Sequence, residues 1–216
     1  MKKMVFTAVA VLFFGLTNAQ DAVKATSEVK FGAKAGLNIA KISGDIENEK
    51  SLIGAHLGVF AEIKLTNKFA FQPELLYSMQ GAKIEYSEST PDYYYSYKDK
   101  NKLGYLNVPL MAKYFVTNKL FFEVGPQIGF LISAKNDYEE TETLFGTTDY
   151  FSGDVDIKSN LKSVDFGLNF GLGYEFTSEI FASARYSVGL SNINNVSGSN
   201  AELKNGVLQF SFGYKF

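Results

Sequence analysis

Val164–Phe176 reads VDFGLNFGLGYEF, and the fold turns on this stretch. Its even positions, Val164, Phe166, Leu168, Phe170, Leu172, Tyr174 and Phe176, are all apolar or aromatic. Its odd positions, Asp165, Gly167, Asn169, Gly171, Gly173 and Glu175, are polar or glycine. A period of two held this long makes a β-strand with one apolar and one polar face. About ten residues are also enough for a tilted strand to cross a bilayer.

The same design recurs on both sides of this stretch. Strands are expected at Lys30–Ile42, Leu52–Leu65, Phe69–Tyr86, Leu103–Val116, Leu120–Ala134, Val164–Phe176, Ile180–Leu190 and Gly206–Phe216. Three of the connections are short and begin with Thr, in KLTNKFAF, YFVTNKLFF and YEFTSEIFA, an internal hairpin repeat. They alternate with long polar connections, about Glu85–Lys102, Lys135–Asn160 and Ser191–Asn205, all read as loops. Short turns at one end and long loops at the other describe an outer-membrane barrel, with the Thr turns periplasmic and the long loops outside. The fold predicted is all-β, an eight-stranded antiparallel up-and-down transmembrane β-barrel. Gly32, Gly36, Gly58, Gly167, Gly171 and Gly213 take the polar parity, as a narrow interior needs if it also holds long side chains. Pro73, Pro109 and Pro126 fall inside strands, which predicts bulges there. A soluble barrel with its apolar face inside has the same alternation. Against it stand a long apolar face nearly free of charge and a polar face rich in glycine.

The chain opens with Lys2-Lys3, an apolar run from Met4 to about Leu16, and Thr17-Asn18-Ala19-Gln20. This is the pattern of a secretory signal peptide over residues 1–19, cut between Ala19 and Gln20. A short periplasmic tail, 20–29, and the barrel domain, 30–216, follow. There is no Cys, which removes disulfides, thiolate chemistry and a cysteine lipid anchor. A formal net charge of −2 gives no reason to expect a nucleic-acid partner.

FQPELLYS at Phe71–Ser78 with Gly81-Ala82-Lys83, YLNVPL at Tyr105–Leu110, Gly125-Pro126 and RYSVGL at Arg185–Leu190 resemble the PorT-like outer-membrane β-barrel family, the Bacteroidetes-type outer membrane protein beta-barrel domain. The resemblance runs from about Lys30 to Phe216. It implies an eight-stranded outer-membrane barrel. It implies no particular activity, although the family name suggests accessory work in protein export for one branch.

Lys34, Glu62, Glu74, Lys113, Glu123, Asp165, Glu175 and Arg185 share the inward parity, with Lys64 and Lys215. In a narrow barrel such charges must pair, so a polar interior network is expected, with an ion path as its rival. Counting across the Thr117 turn sets Lys113 opposite Glu123 and predicts an ion pair between them. His56 is the only histidine and points inward, which leaves metal chemistry and a Ser/His/Asp site without ligands or geometry. Asp149, Asp154 and Asp156 lack the spacing of a calcium loop. Phe210, Phe212, Tyr214 and Phe216 alternate up to the last residue, as an assembly signal for the barrel-insertion machinery would. Tyr93, Tyr94, Tyr95 and Tyr97 suit contact with an extracellular protein or glycan. The expectation is a monomeric, non-enzymatic protein of the cell outer membrane, without cofactor, surrounded by lipid and acting structurally or by binding a partner. A narrow channel for small solutes and an accessory role in export are the alternatives.

Overall fold

The computed structural model describes residues 28–45 and 49–216. The expected signal peptide, its Ala19/Gln20 cut and the tail up to residue 27 lie outside the described residues. Among the described residues nine strands form one antiparallel sheet: β1 (Val29–Gly44), β2 (Glu49–Lys64), β3 (Phe69–Ser89), β4 (Tyr93–Phe115), β5 (Leu120–Leu144), β6 (Thr147–Asp156), β7 (Val164–Glu175), β8 (Ile180–Gly189) and β9 (Leu203–Lys215). Eight of them close a ring, because β1 pairs with β9, β4 with β5, and the lower half of β5 with β7. The predicted eight-stranded barrel is therefore present. The ninth strand, β6, stands outside the ring on the upper half of β5.

The alternation decides which face is wet. Phe31, Leu37, Leu57, Phe122, Phe166 and Phe212 are exposed on the outer wall, whereas Lys34, Glu62, Glu74 and Arg185 are buried inside. That is the reverse of a soluble barrel, whose apolar face fills the interior. The ten residues of β8, at roughly 3.3 Å each, match the apolar band of a membrane barrel. Aromatic pairs gird the Thr-turn end, with Phe69–Tyr114, Tyr174–Phe176 and Tyr214–Phe216 ring centroids 5.1–5.6 Å apart.

The three Thr turns are built alike. Each Thr hydroxyl accepts the backbone N–H two and three residues on: Lys68 and Phe69 at Thr66, Lys119 and Leu120 at Thr117, Glu179 and Ile180 at Thr177. This local bond holds the tight reversal without glycine. Both described ends reach this side, since Phe216 N–H donates to Phe31 O and Lys64 N–H to Glu28 O.

Three expectations are corrected. Residues 85–102 and 135–160 are mostly strand, not loop. Tyr86 pairs with Tyr97, Tyr97 with Glu140 and Glu140 with Phe151, so β3–β6 continue as a four-stranded sheet beyond the ring. Both faces of this extension meet water, so the apolar alternation that marks the membrane strands is absent there. The proline sites carry no bulge. Pro73 opposes Leu110, Pro109 opposes Gln127 and Pro126 opposes Leu168, with the register unchanged on either side. Beside Pro73 and Pro109 the ladder lapses for two positions, 74–75 opposite β4 and 110–111 opposite β5, and resumes in the same register. The register shifts lie elsewhere, between Ser51 and His56 on β2 and at Gly104/Tyr105 opposite Ile132. The second shift inverts the parity of β5, so Ser133, which shares the inward parity of Glu123 by count, is exposed on the outer wall while Ala134 turns inward.

Candidate functional site

Eight of the interior charges form two neutral clusters, and Asp165 stands apart from both. In the first, Arg185 grips Glu74 with both terminal nitrogens, at 2.8 and 2.9 Å, and its Nε donates to Glu123 at 2.8 Å. Lys34 lies 2.7 Å from the same Glu74. In the second, Lys113 and Lys215 reach the two oxygens of Glu62, at 2.8 and 2.7 Å, and Lys215 also bonds Glu175. Gln72 links them, accepting from Lys113 and donating to Glu74. Each cluster holds two bases and two acids, and each base has an acid within bonding distance. Burial without this pairing would be prohibitive.

The predicted register is found, because Lys113 is set opposite Glu123 and Tyr114 opposite Phe122. The predicted ion pair is not. Lys113 turns to Glu62 across β3, and Glu123 turns to Arg185. Inside a closed barrel a long side chain can reach past its neighbour, and Arg185 offers Glu123 a better-matched donor than an ammonium.

Above the charges, Asn38 Nδ2 donates to Ser78 Oγ, Met79 O and Ala55 O. Its Oδ1 must then accept from His56 Nδ1, 2.8 Å away, leaving Nε2 to accept from Ser211 Oγ at 2.8 Å. His56 is a fully bonded core residue. Asp165 accepts from Ser191 and Asn205.

Both ends of the lumen are filled. At the Thr-turn end Phe60, Phe115, Phe121 and Phe181 pack together, all buried. Three of these rings lie over a glycine of the neighbouring strand: Phe60 opposes Gly32, Phe121 opposes Gly173 and Phe181 opposes Gly213. A Cβ on any of the three glycines would come within 2.2–2.3 Å of the ring. Lys113 Nζ sits 4.0 Å from the Phe121 centroid, which ties the plug to the charges above. At the other end Ile193, from the 190–202 connection, drops among Ile42, Leu103, Tyr105 and Leu131 and is completely buried. Sequence reasoning missed the plug. Its signal was the apolar residues of inward parity, three of the four set opposite a glycine of the next strand.

The extension has two unlike faces. Pairing places Tyr86, Tyr93, Tyr95, Tyr97, Tyr138 and Phe151 on the face that continues the lumen side. Tyr93 and Tyr95 stack with centroids 6.4 Å apart. Glu88, Asp99, Glu140, Glu142 and Asp149 share this face, which carries no Lys or Arg among the described residues. A hydrogen bond to Glu140 pushes the Tyr95 phenol above its ordinary pKa, and burial beside Glu142 does so for Tyr93. Tyr94 points the other way, so the four tyrosines do not act as one cluster. The opposite face pairs Lys102 with Asp137, Lys135 with Asp154 and Lys83 with Glu85. Among the described residues no three His, Asp or Glu side chains converge as a metal site, and Asp154 is committed to Lys135. Phe210, Phe212, Tyr214 and Phe216 all lie exposed on the outer wall.

The family model described as "Outer membrane protein beta-barrel domain" matches residues 18–195. No curated protein matches the sequence. Among solved structures, the chain is similar to Ail, the attachment invasion locus protein of Yersinia pestis, at 13% identity and a TM-score of 0.43, over 88% of this chain and 99% of that one. Neisserial surface protein A gives 14% identity and 0.42, over 88% and 99%. OprG from Pseudomonas aeruginosa gives 13% and 0.39, over 90% and 99%.

Proposed function

The chain belongs to the outer membrane protein beta-barrel domain family and lies in the outer membrane, and from that premise we propose that it is a sealed, non-enzymatic barrel whose work is done by the sheet it holds above the bilayer. One observation carries this reading: the lumen is filled from Phe121 at one end to Ile193 at the other, while four strands continue beyond the ring. A barrel that spends its interior on packing has its outer surface left for function. The tyrosine-rich inner face of the extension, anionic and without a base, suits a cationic partner segment, with rings and carboxylates both available to Lys or Arg. Within the family we place the chain in the PorT-like branch, on the FQPELLYS and YLNVPL segments. We further propose that the protein is a monomer, that its terminal strand is read by the insertion machinery, and that the Thr turns are periplasmic.

The chain has no cysteine, so single cysteines test the topology cleanly. In intact cells, D92C at the tip of the extension should react with a membrane-impermeant maleimide, and N67C in a Thr turn should not. Labelling of N67C alone would invert the orientation and remove the reading. A photo-crosslinker at Tyr95 should then yield adducts that one at Tyr94, on the opposite face, does not. Equal yields would deny that face a partner.

A further inference from the structure

The outer wall is not smooth. At one level, four neighbouring strands change from apolar to polar or charged on their outward face. The changes are Ile53 to Lys50 on β2, Met79 to Lys83 on β3, Leu106 to Lys102 on β4, and Ile132 to Lys135 on β5. This is where the wall leaves hydrocarbon and enters the headgroup layer. At that level the wall is hollowed into a groove of about 430 Å³.

The hollow has local causes. The β2–β3 ladder slips between Ser51 and His56, and from the lumen side Asn38 bonds Ala55 O and Met79 O across the slip. On β4 and β5 the second register shift turns Gly104 and Ser133 outward side by side, two positions that offer almost no side chain. A Cβ at Gly104 would stand 2.5 Å from Ser133 Oγ and 2.8 Å from the Tyr77 hydroxyl, so the three groups together shape the floor.

We propose that this groove binds a membrane lipid whose headgroup carries both a phosphate and a primary amine, a phosphoethanolamine lipid of the leaflet beside the extension. Its position decides the general occupant, because a hollow in a wall bathed in lipid is filled by an acyl chain, here against Ile53, Tyr77 and Met79. Its rim decides the headgroup. Lys102, Lys135, Asp137 and Asp154 line the upper edge, two ammonium groups beside two carboxylates. Lys102 bonds Asp137, and Lys135 lies 3.0 Å from Asp154. Exposed pairs of this kind contribute only about 0–1 kcal/mol, so exchanging them for a headgroup costs little. A phosphate fits the lysines and a primary ammonium fits the aspartates. A purely anionic headgroup would meet the two carboxylates, and a quaternary amine has no hydrogen to donate to them.

The test is native mass spectrometry of the full chain released from vesicles of equal parts phosphatidylethanolamine, phosphatidylglycerol and phosphatidylcholine of matched chains. The wild type should retain phosphatidylethanolamine about tenfold over either competitor, a difference of about 1.4 kcal/mol. K102Q/K135Q and D137N/D154N should each lose that preference while still carrying lipid. S133L, an apolar filler on an already exposed position, should shed bound lipid of every kind yet fold as well as the wild type by unboiled gel mobility. A wild type that prefers phosphatidylglycerol, or that retains no more lipid than S133L, overturns the proposal.

Discussion

Arg185 is the side chain on which the interior depends most. It gives Glu74 two bonds and Glu123 one, at 2.8–2.9 Å, and all three residues are buried. In R185M the volume is nearly kept but the charge is lost. Glu74 retains Lys34, 2.7 Å away, and Glu123 is left without a bonded base. Stranding one member of a buried pair costs about 3–5 kcal/mol, and that is the loss expected here. R185M/E123Q removes the stranded carboxylate and should recover about 1–3 kcal/mol, the usual coupling of residues in one network. K135M breaks an exposed pair and should cost about 0–1 kcal/mol. Urea titration of the protein folded into phospholipid vesicles reads all three, with unboiled gel mobility and circular dichroism reporting folding, since the chain has no Trp. If R185M falls within about 1 kcal/mol of the wild type, level with K135M, the lumen is wet and the network holds nothing together.

Other outcomes follow from the same structure. G213A drives a Cβ to 2.3 Å from the Phe181 ring and should cost about 1–3 kcal/mol in the same titration, with part recovered in G213A/F181L. Deleting Phe216, whose N–H is bonded to Phe31 O, should lower the amount inserted in the outer membrane and leave passage across the inner membrane unchanged, as fractionation would show. Hydrogen bonds from Lys83 and Lys50 hold the Glu85 carboxyl below its ordinary 4.5. What it adds to the top of the extension is therefore present above 4.5 and lost as pH falls through the lower folded value. A carboxyl NMR titration should place its midpoint below 4.5 and see it rise in K83M.

The barrel was legible because the membrane imposes a strict period. Every outward residue of Val164–Phe176 must suit lipid, and a slip of one residue would turn that whole face inward. The Thr turns were legible because the Thr hydroxyl bonds are local. The extension was hidden, since Tyr93–Tyr97 and residues 135–156 stand in water on both faces and carry no such period. Cross-lumen pairing was hidden for another reason. Register fixes that Lys113 faces Glu123, but the partner of Lys113 is chosen by three-dimensional reach, and Glu62 lies 51 residues away. Likewise the parity change at Ser133 comes from a one-residue shift that neither Gly104 nor Ile132 announces on its own.

The sealed lumen is the center of the account, and planar-bilayer recording tests it directly. The purified, folded protein should show no stepwise openings, and F115A/F121A, which removes half of the four-ring plug, should still be held closed by the charged clusters and the Ile193 cap. Regular unitary steps from the wild type, carried by the folded species and absent from a mock preparation, would contradict a filled interior.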